Sequence, residues 1–306
     1  MTGSQRAQSA REFMARYGRM NPDSYLTLIR DAALPFVSAL DRMGGRRAEA
    51  LARPRIQFLI LHHVFPDEEA DFRRLLSVLA EGHRFIGYSE AVRRIWEGTI
   101  DAPYLVITFD DGFKSCLTAA RIMEEFGASG CFFINPAITG ETDEGRITAF
   151  CRDRLFTPPV EFLSWDDVEA LLAAGHEIGS HTLTHPNMAS LSTAELEDEI
   201  GGSFRMLEER IGEVRHFSWP LGRWSHFSAE AGRIVFQSGY QTCASAERGC
   251  HVAQTPPRDL CIRRTHVVPG WPVDHTLFFL SVFSRRADRE SGGWPSAWRE
   301  HINGTG

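Results

Sequence analysis

From residue 55 onward, apolar runs of strand length alternate with amphipathic stretches of helical period. Apolar residues three and four positions apart predict helices, and short apolar runs predict strands. The predicted order is strand 55–62, helix 69–81, helix 89–97, strand 104–109, helix 115–126, strand 130–134, helix 165–174, strand 177–180, helix 192–211, strand 215–219, helix 228–238, strand 239–243, strand 260–264 and helix 273–284. This alternation predicts a parallel sheet, and about seven such strands predict an α/β fold of the distorted β/α barrel type.

Three segments lie outside the alternation. Residues 24–43 carry apolar side chains at helical spacing, interrupted by Pro35, and predict an N-terminal helix packed on the domain; a membrane-surface or partner-binding helix is the alternative. The Gly-, Thr- and Pro-rich stretch 135–163 predicts a long loop over the carboxyl ends of the strands, where it can shape a binding site. The C-terminal segment is expected to be peripheral. The predicted divisions are an N-terminal helical extension at 1–50, one catalytic domain at 51–286 and a tail at 287–306.

Two adjacent carboxylates, Asp110 and Asp111, follow the predicted strand 104–109 and precede Gly112. Neighbouring strand residues point to opposite faces, but a glycine-containing turn allows both carboxylates to reach one cleft. Asp-Gly is also a common turn dipeptide, so this pair alone leaves a purely structural role open.

Two histidines, His181 and His185, stand four residues apart after the predicted strand 177–180. Ligands bind beyond the carboxyl ends of strands in α/β sheets, so these imidazoles are expected near Asp110 and Asp111. One Asp with two His is a usual ligand set for a catalytic divalent metal. Asp111, His181 and His185 are therefore candidate metal ligands, and Asp110 is free to act as a general base. Isolated histidine pairs are usually not ligands, and only the conjunction of the two motifs favours a metal site.

The two motifs resemble those of a known family, the carbohydrate esterase deacetylases of the NodB-homology fold. Thr108-Phe109-Asp110-Asp111-Gly112 is similar to the family's first motif, and His181-Thr182-Leu183-Thr184-His185 to its second. These enzymes remove N-acetyl or O-acetyl groups from chitin, peptidoglycan, xylan and biofilm polysaccharides. The likeness runs from about residue 55 to about residue 283. It implies a distorted (β/α)7 barrel of the NodB-homology, glycoside hydrolase/deacetylase type, with Asp110 as base and Asp111, His181 and His185 as metal ligands.

The segment Phe217-Ser218-Trp219-Pro220-Leu221-Gly222 is similar to the family's third motif, in which an arginine steadies the base. Ser218 stands where that arginine would be. This variant resembles the branch that acts on poly-N-acetylglucosamine, and Arg264 is the candidate substitute. Strand alternation sends Arg263 and Arg264 to opposite faces, so one of them is expected to be a solvated surface charge. The backbone N–H of Leu221 is the candidate oxyanion donor.

The family usually takes its general acid from a Leu-x-His motif near the C-terminus, and no such motif follows Gly222. An apolar run near the N-terminus, Phe58-Leu59-Ile60-Leu61-His62-His63, ends in histidines and precedes the carboxylate pair. This order resembles the circularly permuted branch of the family and makes His62 the candidate acid. The alternative is that these histidines merely end a strand.

Composition narrows the possible partners. The formal charge is -7, and no basic run exceeds an arginine pair, so a nucleic-acid surface is disfavoured. The six cysteines show no C-x-x-C spacing, which argues against a zinc knuckle. Residues 1–10 lack an apolar signal core, and no run approaches the roughly 20 residues of a membrane span, so a cytoplasmic location is expected. Many relatives act outside the membrane, so a cytoplasmic version is expected to act on an intermediate of exopolysaccharide biosynthesis.

The resulting hypothesis is a metal-dependent deacetylase that hydrolyses the N-acetyl group of an amino sugar in an oligo- or polysaccharide. Zinc is the expected metal, and cobalt, nickel and manganese fit the same ligands. Two alternatives stay open: a metal-dependent hydrolase of a small amide, imide or O-acetyl ester, and a non-catalytic carbohydrate-binding relative. Four aromatic residues can each stack on a sugar ring or simply pack in the wall: Trp219, Trp224, Phe227 and Trp271. The oligomeric state is left open.

Overall fold

The computed structural model describes residues 6–20, 34–42, 45–287 and 293–303. Its strands are β1 Arg55–Leu61, β2 Arg84–Phe85, β3 Pro103–Phe109, β4 Gly130–Ile134, β5 Glu177–Ser180, β6 His216–Ser218, β7 Thr242–Ala244, β8 Cys261–Ile262 and β9 Arg264–His266. Its α-helices are α1 Ala10–Met20, α2 34–42, α3 Arg46–Ala52, α4 Glu69–Ala80, α5 Tyr88–Glu97, α6 Cys116–Glu124, α7 Glu144–Phe150, α8 Trp165–Ala173, α9 Thr193–Ile211, α10 Ala229–Gln237, α11 Val273–Arg286 and α12 Ser296–Asn303.

The strands form a parallel sheet that closes on itself. The order is β8-β7-β6-β5-β4-β3-β1-β9, and the short β2 pairs with the amino-terminal half of β3. A single residue, Arg263, separates β8 from β9, yet β8 pairs with β7 and β9 pairs with β1. One kinked strand therefore joins the two edges of the sheet, which confirms the predicted α/β barrel.

Successive side chains of the strands point alternately into the barrel and outward to the helices, so the core has an inner and an outer layer. On β3, Tyr104 and Val106 belong to a cluster inside the barrel, whereas Leu105, Ile107 and Phe109 pack outward beneath the helices. Both faces of such strands are covered, which explains why they read as continuous apolar runs instead of alternating ones. The interior cluster occupies the amino-terminal half of the barrel and leaves the carboxyl-terminal half for polar side chains.

Helix α5 covers the amino-terminal end of the barrel. Tyr88, its first residue, is fully buried against Phe58 and Phe133. The carboxylate of Glu177, at the start of β5, accepts hydrogen bonds from the backbone N–H of Ser89 at 3.0 and 3.2 Å. A carboxylate at a helix N-terminus satisfies donors that have no partner within the helix.

The N-terminal region differs in detail from the predicted helix 24–43. Residues 34–42, which include Pro35, are helical and are called α2, and residues 24–33 of the predicted helix lie outside the described ranges. Helix α1 was not predicted. It is anchored at its N-terminus by Asp67, which accepts from the backbone N–H of Ala10 and of Arg11.

Two further expectations require correction. The stretch 135–163 is not one long irregular loop, because it contains α7 and a π-helix at Cys151–Leu155. The described part of the tail is not peripheral. Trp294 is 1% exposed and stacks near Trp219 and Phe227, while α12 packs on α10. The aromatic side chains bury enough apolar surface to hold this segment on the domain.

All six cysteines lie within the described ranges and are free and buried. Within the described ranges, none of the helices combines the length and apolarity needed to cross a bilayer.

Candidate active site and metal centre

Asp110 and His62 lie on neighbouring strand ends at the carboxyl-terminal mouth of the barrel. The register pairs Leu61 of β1 with Phe109 of β3, and the N–H of Asp110 donates to the carbonyl oxygen of Leu61 at 3.1 Å. Asp110 continues the inward-facing series of Val106 on β3, because side chains two residues apart share a face. The strand geometry therefore directs Asp110 into the barrel mouth.

Asp111 reaches the same cleft through an unusual backbone conformation. An extended residue at this position would point outward, but Asp111 has a φ of 72°. Its side chain turns back, so that its Oδ1 lies 3.4 Å from Nε2 of His181 and 3.3 Å from Nε2 of His185. All three side chains are buried. The left-handed conformation is costly for a non-glycine residue, and such residues persist mainly at functional sites.

The backbone around the two histidines is held by two side chains that the sequence motifs do not include. Asn135, at the end of β4, donates through its side-chain amide to the carbonyl oxygens of His181 and Thr182. Glu199, on α9, accepts from the N–H of Thr184 at 2.8 Å. These contacts fix the spacing of the imidazoles.

The hydrogen bonds on the far sides of the two rings determine their tautomers. Nδ1 of His181 lies 2.9 Å from the carbonyl oxygen of Ser218, and Nδ1 of His185 lies 3.1 Å from that of Arg154. A carbonyl oxygen only accepts, so each Nδ1 carries the hydrogen and each Nε2 keeps its lone pair. Burial lowers the pKa of His181 to about 4, although Asp110 and Asp111 act to raise it, so this ring is neutral at pH 7.

Three electron-pair donors therefore face one another across a small space. Oδ1 of Asp111 is buried and has no hydrogen-bond partner. This oxygen faces the Nε2 atoms of His181 and His185, and the three atoms lie within 4.8 Å of one another. Ligand atoms at about 2.0–2.1 Å from a tetrahedral zinc are about 3.3–3.4 Å apart. The separations of 3.3 and 3.4 Å match this spacing, so the set fits a divalent cation.

Arg264 reaches Asp110 from the strand that closes the barrel. Its Nη1 donates to Oδ1 of Asp110 at 2.7 Å and its Nη2 donates to Oδ2 at 2.8 Å. Burial by itself would raise the pKa of Asp110, but the charge of Arg264 and the hydrogen bonds from its guanidinium hold that pKa below its ordinary value. Asp110 is thus a buried and oriented carboxylate that stays ionised.

The other donors of the Arg264 guanidinium are also satisfied. Nε donates to the carbonyl oxygen of Ser245 at 2.8 Å, Nη1 to Oγ1 of Thr108 at 3.2 Å, and Nη2 to Oγ of Ser218 at 2.5 Å. Ser218, which stands where the family motif has its arginine, thus accepts from the arginine that β9 supplies. Arg264 is fully buried, whereas Arg263 is partly exposed and its guanidinium lies 5.9 Å from the centre of the Trp224 ring.

A glycine makes room for this arrangement. The ring of Phe133 lies 5.1 Å from the Arg264 guanidinium. A Cβ on Gly179 would come within 2.5 Å of that ring and 2.8 Å of the carbonyl oxygen of His216. Any larger residue at position 179 would displace the ring or the neighbouring strand.

His62 is half-buried beside a second histidine. The ring centres of His62 and His266 are 5.4 Å apart, and Trp271 meets the edge of His266 at 5.8 Å. The carbonyl oxygen of His62 accepts from the Cys116 thiol at 3.4 Å. The structure therefore brings the sequence-predicted His62 to the same mouth as Asp110.

Leu221, with a φ of 63°, lies in the turn that follows β6, and its side chain is 43% exposed. The four aromatic residues considered as sugar contacts divide into two groups. Trp219 and Phe227 are buried and stack on each other at 4.2 Å, so they pack the wall. Trp224 and Trp271 are partly exposed.

Sequence reasoning missed the contribution of the π-helix, whose Arg154 carbonyl orients His185. It also missed α1, which lies beside the same mouth. Phe13 of α1 packs at 4.6 Å from His63, and the N–H of Ala7 donates to the carbonyl oxygen of Pro159. No motif signals these contacts. The Gly-, Thr- and Pro-rich composition of the stretch 135–163 indicated a functional segment but not these contacts.

Comparison with known proteins relates part of the chain to a known family. Residues 97–242 match the family model described as polysaccharide deacetylase. The match covers a little less than half of the chain, so this part of the chain is similar to the polysaccharide deacetylase family. The matched residues include Asp110, Asp111, His181, His185 and Leu221, whereas His62 and Arg264 lie outside them.

Two similar proteins are chitooligosaccharide deacetylases. That of Sinorhizobium fredii is 27% identical over 128 residues, and that of Azorhizobium caulinodans is 32% identical over 125 residues. Each alignment covers 40% of this chain and 49% of the relative. The chain thus spans about half the length of the curated relatives it matches.

Solved structures show the same fold over a larger share of this chain. IcaB from Ammonifex degensii aligns with a TM-score of 0.59 and 18% identity, covering 76% of this chain and 97% of that one. The Streptococcus pyogenes deacetylase PplD, solved in complex with acetate, aligns with a TM-score of 0.58 and 16% identity, covering 74% of this chain and 98% of that one. These likenesses establish the barrel as that of NodB-type deacetylases.

Proposed function

We propose that this protein is a metal-dependent deacetylase that hydrolyses the N-acetyl group of an amino sugar within an oligo- or polysaccharide and releases acetate. The observation that carries the proposal is the convergence of the Asp111, His181 and His185 lone pairs beside an ionised Asp110. The family match and the two chitooligosaccharide deacetylases support the same substrate class.

Asp111, His181 and His185 would hold the divalent metal, with zinc as the first choice for this ligand set and cobalt, nickel or manganese as the others. When bound there, the metal supplies Lewis acidity that polarises a carbonyl and lowers the pKa of water. The carbonyl oxygens of Ser218 and Arg154 hold the two rings in the tautomer that presents Nε2 to it.

Asp110 acts as the general base in the proposed reaction. A carboxylate of lowered pKa is a weak base, but it is ionised throughout the neutral range and accepts a proton from water whose acidity has been raised. Arg264 fixes both oxygens of Asp110, so that the carboxylate is already oriented when water attacks the acetyl carbonyl. The N–H of Leu221 donates to the oxygen on which negative charge develops.

His62 completes the reaction as the general acid. It donates a proton to the sugar nitrogen as the bond between that nitrogen and the acetyl carbon breaks, which yields acetate and a free amino sugar. This role is supported by the half-buried position of His62 directly after β1, the strand that pairs with the strand preceding Asp110.

Acetate release tests the proposal. The zinc-loaded protein is incubated with N-acetylglucosamine oligomers of increasing length, and the same protein after chelation serves as the control. We expect chelator-sensitive release that zinc restores and that Asp110→Asn abolishes. Absence of release from every oligomer by a protein with bound zinc would overturn the proposal, and release only from a small amide or ester would transfer it to the small-substrate alternative.

A further inference from the structure

Helix α2 has its apolar and polar sides in the reverse of the usual arrangement. Phe36, Val37 and Leu40 lie together on one side of the helix and are 70%, 44% and 55% exposed. They are three of the seven large hydrophobic residues exposed in the described part of the chain. A surface helix normally turns such a side towards the core. The apolar side of α2, defined by these three residues, instead faces away from the domain.

The side of α2 that packs on the domain carries polar contacts. Ser38 is fully buried, and its hydroxyl donates to the backbone carbonyl oxygen of Asp274 on α11 at 3.2 Å. The carboxylate of Asp41 accepts from the Ser281 hydroxyl at 3.1 Å and from the Arg285 guanidinium at 2.8 Å. These hydrogen bonds fix the orientation of the helix, so its apolar side is held outward.

The helices around α2 carry an excess of arginine. Helices α2, α3 and α11, with the residue that follows α3, contain six arginines and three carboxylates, whereas the whole chain has a formal charge of -7. Arg46 and Arg286 are exposed. This side of the molecule is therefore positive within an acidic chain. The six arginines are Arg42, Arg46, Arg47, Arg53, Arg285 and Arg286, and the carboxylates are Asp41, Glu49 and Asp274.

A cavity of about 600 Å³ lies between α3 and the end of α11. Arg46, Arg53 and Arg285 line it, together with Glu49, which offsets part of their charge. Arg285 also binds Asp41, so the cavity adjoins α2. A guanidinium presents several N–H donors in one plane and is well suited to phosphate oxygens. The lining of the cavity therefore favours a phosphate-bearing group.

We propose that α2, with the arginines of α3 and α11, docks this protein on the surface of an anionic lipid bilayer. Phe36, Val37 and Leu40 enter the boundary between headgroups and acyl chains, and the arginines bind lipid phosphates. Interfacial helices combine an apolar face with basic residues on their polar side. The described part of α2 itself contains one arginine, Arg42, and the tertiary structure brings the others from neighbouring helices.

Size and charge disfavour a second copy of this chain as the occupant of the apolar side. A stable protein interface buries about 800 Å² on each partner, and three partly exposed side chains fall well short of that area. In a two-fold contact, the arginines of one copy would also face those of the other. An anionic bilayer complements both the apolar side and the surrounding positive charge.

Co-sedimentation with vesicles tests the proposal. The full chain is mixed with vesicles of phosphatidylcholine, and with vesicles that also contain phosphatidylglycerol, at low and at high salt. We expect binding to the anionic vesicles that weakens at high salt, because salt screens the attraction between arginine and phosphate. Phe36→Ser combined with Leu40→Ser should lower the partition coefficient by about tenfold or more. Arg46→Glu combined with Arg286→Glu should lower it by about tenfold as well.

Two substitutions on α9 are the matched controls. Met206→Ser removes an exposed apolar side chain, and Arg205→Glu reverses an exposed charge, on a helix distant in sequence from α2. Both should leave vesicle binding unchanged. All of these variants should keep a Tm close to that of the wild type, because each changes exposed side chains. The measurement requires no enzymatic activity, so its outcome is independent of the proposed deacetylase function.

Several results would overturn the inference. The wild type might be found to bind neither kind of vesicle, or both kinds equally at every salt concentration. The α9 controls might weaken binding as much as the α2 variant. A wild-type dimer that Phe36→Ser with Leu40→Ser converts to a monomer, without vesicle binding, would assign the apolar side to a second copy. Binding that survives these two substitutions and is displaced by soluble glycerol phosphate would assign the arginines to a soluble phosphate ligand.

Discussion

Arg264 and Asp110, 154 positions apart in the chain, form a bidentate ion pair whose two hydrogen bonds measure 2.7 and 2.8 Å. The pair is buried and Ser218 bonds to the same guanidinium. The arginine that the family motif places on the strand of Ser218 is thus absent, and β9 supplies one from the other side of the barrel. Arg264 on β9 therefore holds the Asp110 carboxylate, in place of an arginine at the position of Ser218.

Removing this arginine should damage both stability and activity. Arg264→Ala leaves Asp110 buried without its counter-charge, which costs about 3–5 kcal/mol of unfolding free energy. Misplacement of the base should lower kcat by about 10²-fold. Urea unfolding and acetate release measure the two effects. Arg264→Lys keeps the charge without the fork and should fall between the wild type and Arg264→Ala.

The exchange of positions can be tested with a double variant. Ser218→Arg combined with Arg264→Ser returns the arginine to the motif position, and we expect it to be more active than Arg264→Ser alone. The exposed pair of Arg93 with Glu90 provides the control, since Arg93→Ala should change stability by less than about 1 kcal/mol. Equal stability of Arg264→Ala and Arg93→Ala would contradict the role assigned to the buried pair.

Zinc should bind to the three-residue set and stabilise the fold. At a free zinc concentration 100 times Kd, binding to the native state adds about 2.7 kcal/mol. Calorimetric titration and thermal unfolding with and without zinc measure this. His185→Ala should lose most of the binding and of the stabilisation, whereas His301→Ala, at a half-exposed position on α12, should keep both. Identical titrations for the two variants would exclude the proposed site.

The need for His62 should depend on the leaving group. A general acid contributes about 10²–10⁴-fold when a poor leaving group such as an amine must be protonated. His62→Ala should therefore lose activity in this range on an N-acetylated glycan and much less on 4-nitrophenyl acetate, whose leaving group departs as an anion. Parallel kcat measurements on both substrates decide the matter. Equal losses would indicate that His62 orients the site and does not donate the proton.

Glu177 should make the fold sensitive to acid. Burial acts to raise its pKa, but hydrogen bonds from His216 and Ser89 and the charge of His216 lower it from 4.5 to about 2. A depressed pKa contributes stability that is present above pH 4.5 and lost as the pH falls towards 2. The contribution is about 3 kcal/mol. In Glu177→Gln, the urea concentration at the unfolding midpoint should change less with pH over this window than in the wild type. Glu197→Gln, on the exposed face of α9, should keep the pH dependence of the wild type.

The tail should stabilise the domain. Trp294 is 1% exposed among Trp219, Trp224 and Phe227, so Trp294→Ala should lower the unfolding free energy by about 3–5 kcal/mol. Trp298→Ala, at a partly exposed position of the same cluster, should cost less. Chemical unfolding of both variants tests this, and a Trp294→Ala protein as stable as the wild type would support a peripheral tail.

The sequence by itself determined most of the strand and helix order from residue 55 onward, and it indicated that the two carboxylates and the two histidines form one site. It could do so because these features are local. Strand runs, helical periods, the Asp110-Asp111 turn and the His181 to His185 spacing depend on residues close together in the chain. Arg264 became the candidate to steady Asp110 only through the resemblance to the family's third motif, because no local pattern joins the two residues.

Only the tertiary structure decided the contacts that cross the barrel. Arg264 meets Asp110 because β9 pairs with β1 and closes the sheet, and the kink at Arg263 that permits this has no local signature. The carbonyl oxygen of Arg154 faces His185 because the connection after β4 folds into a π-helix where an irregular loop was expected. Such contacts depend on long-range packing, in which the whole barrel fixes which strands and carbonyl groups become neighbours.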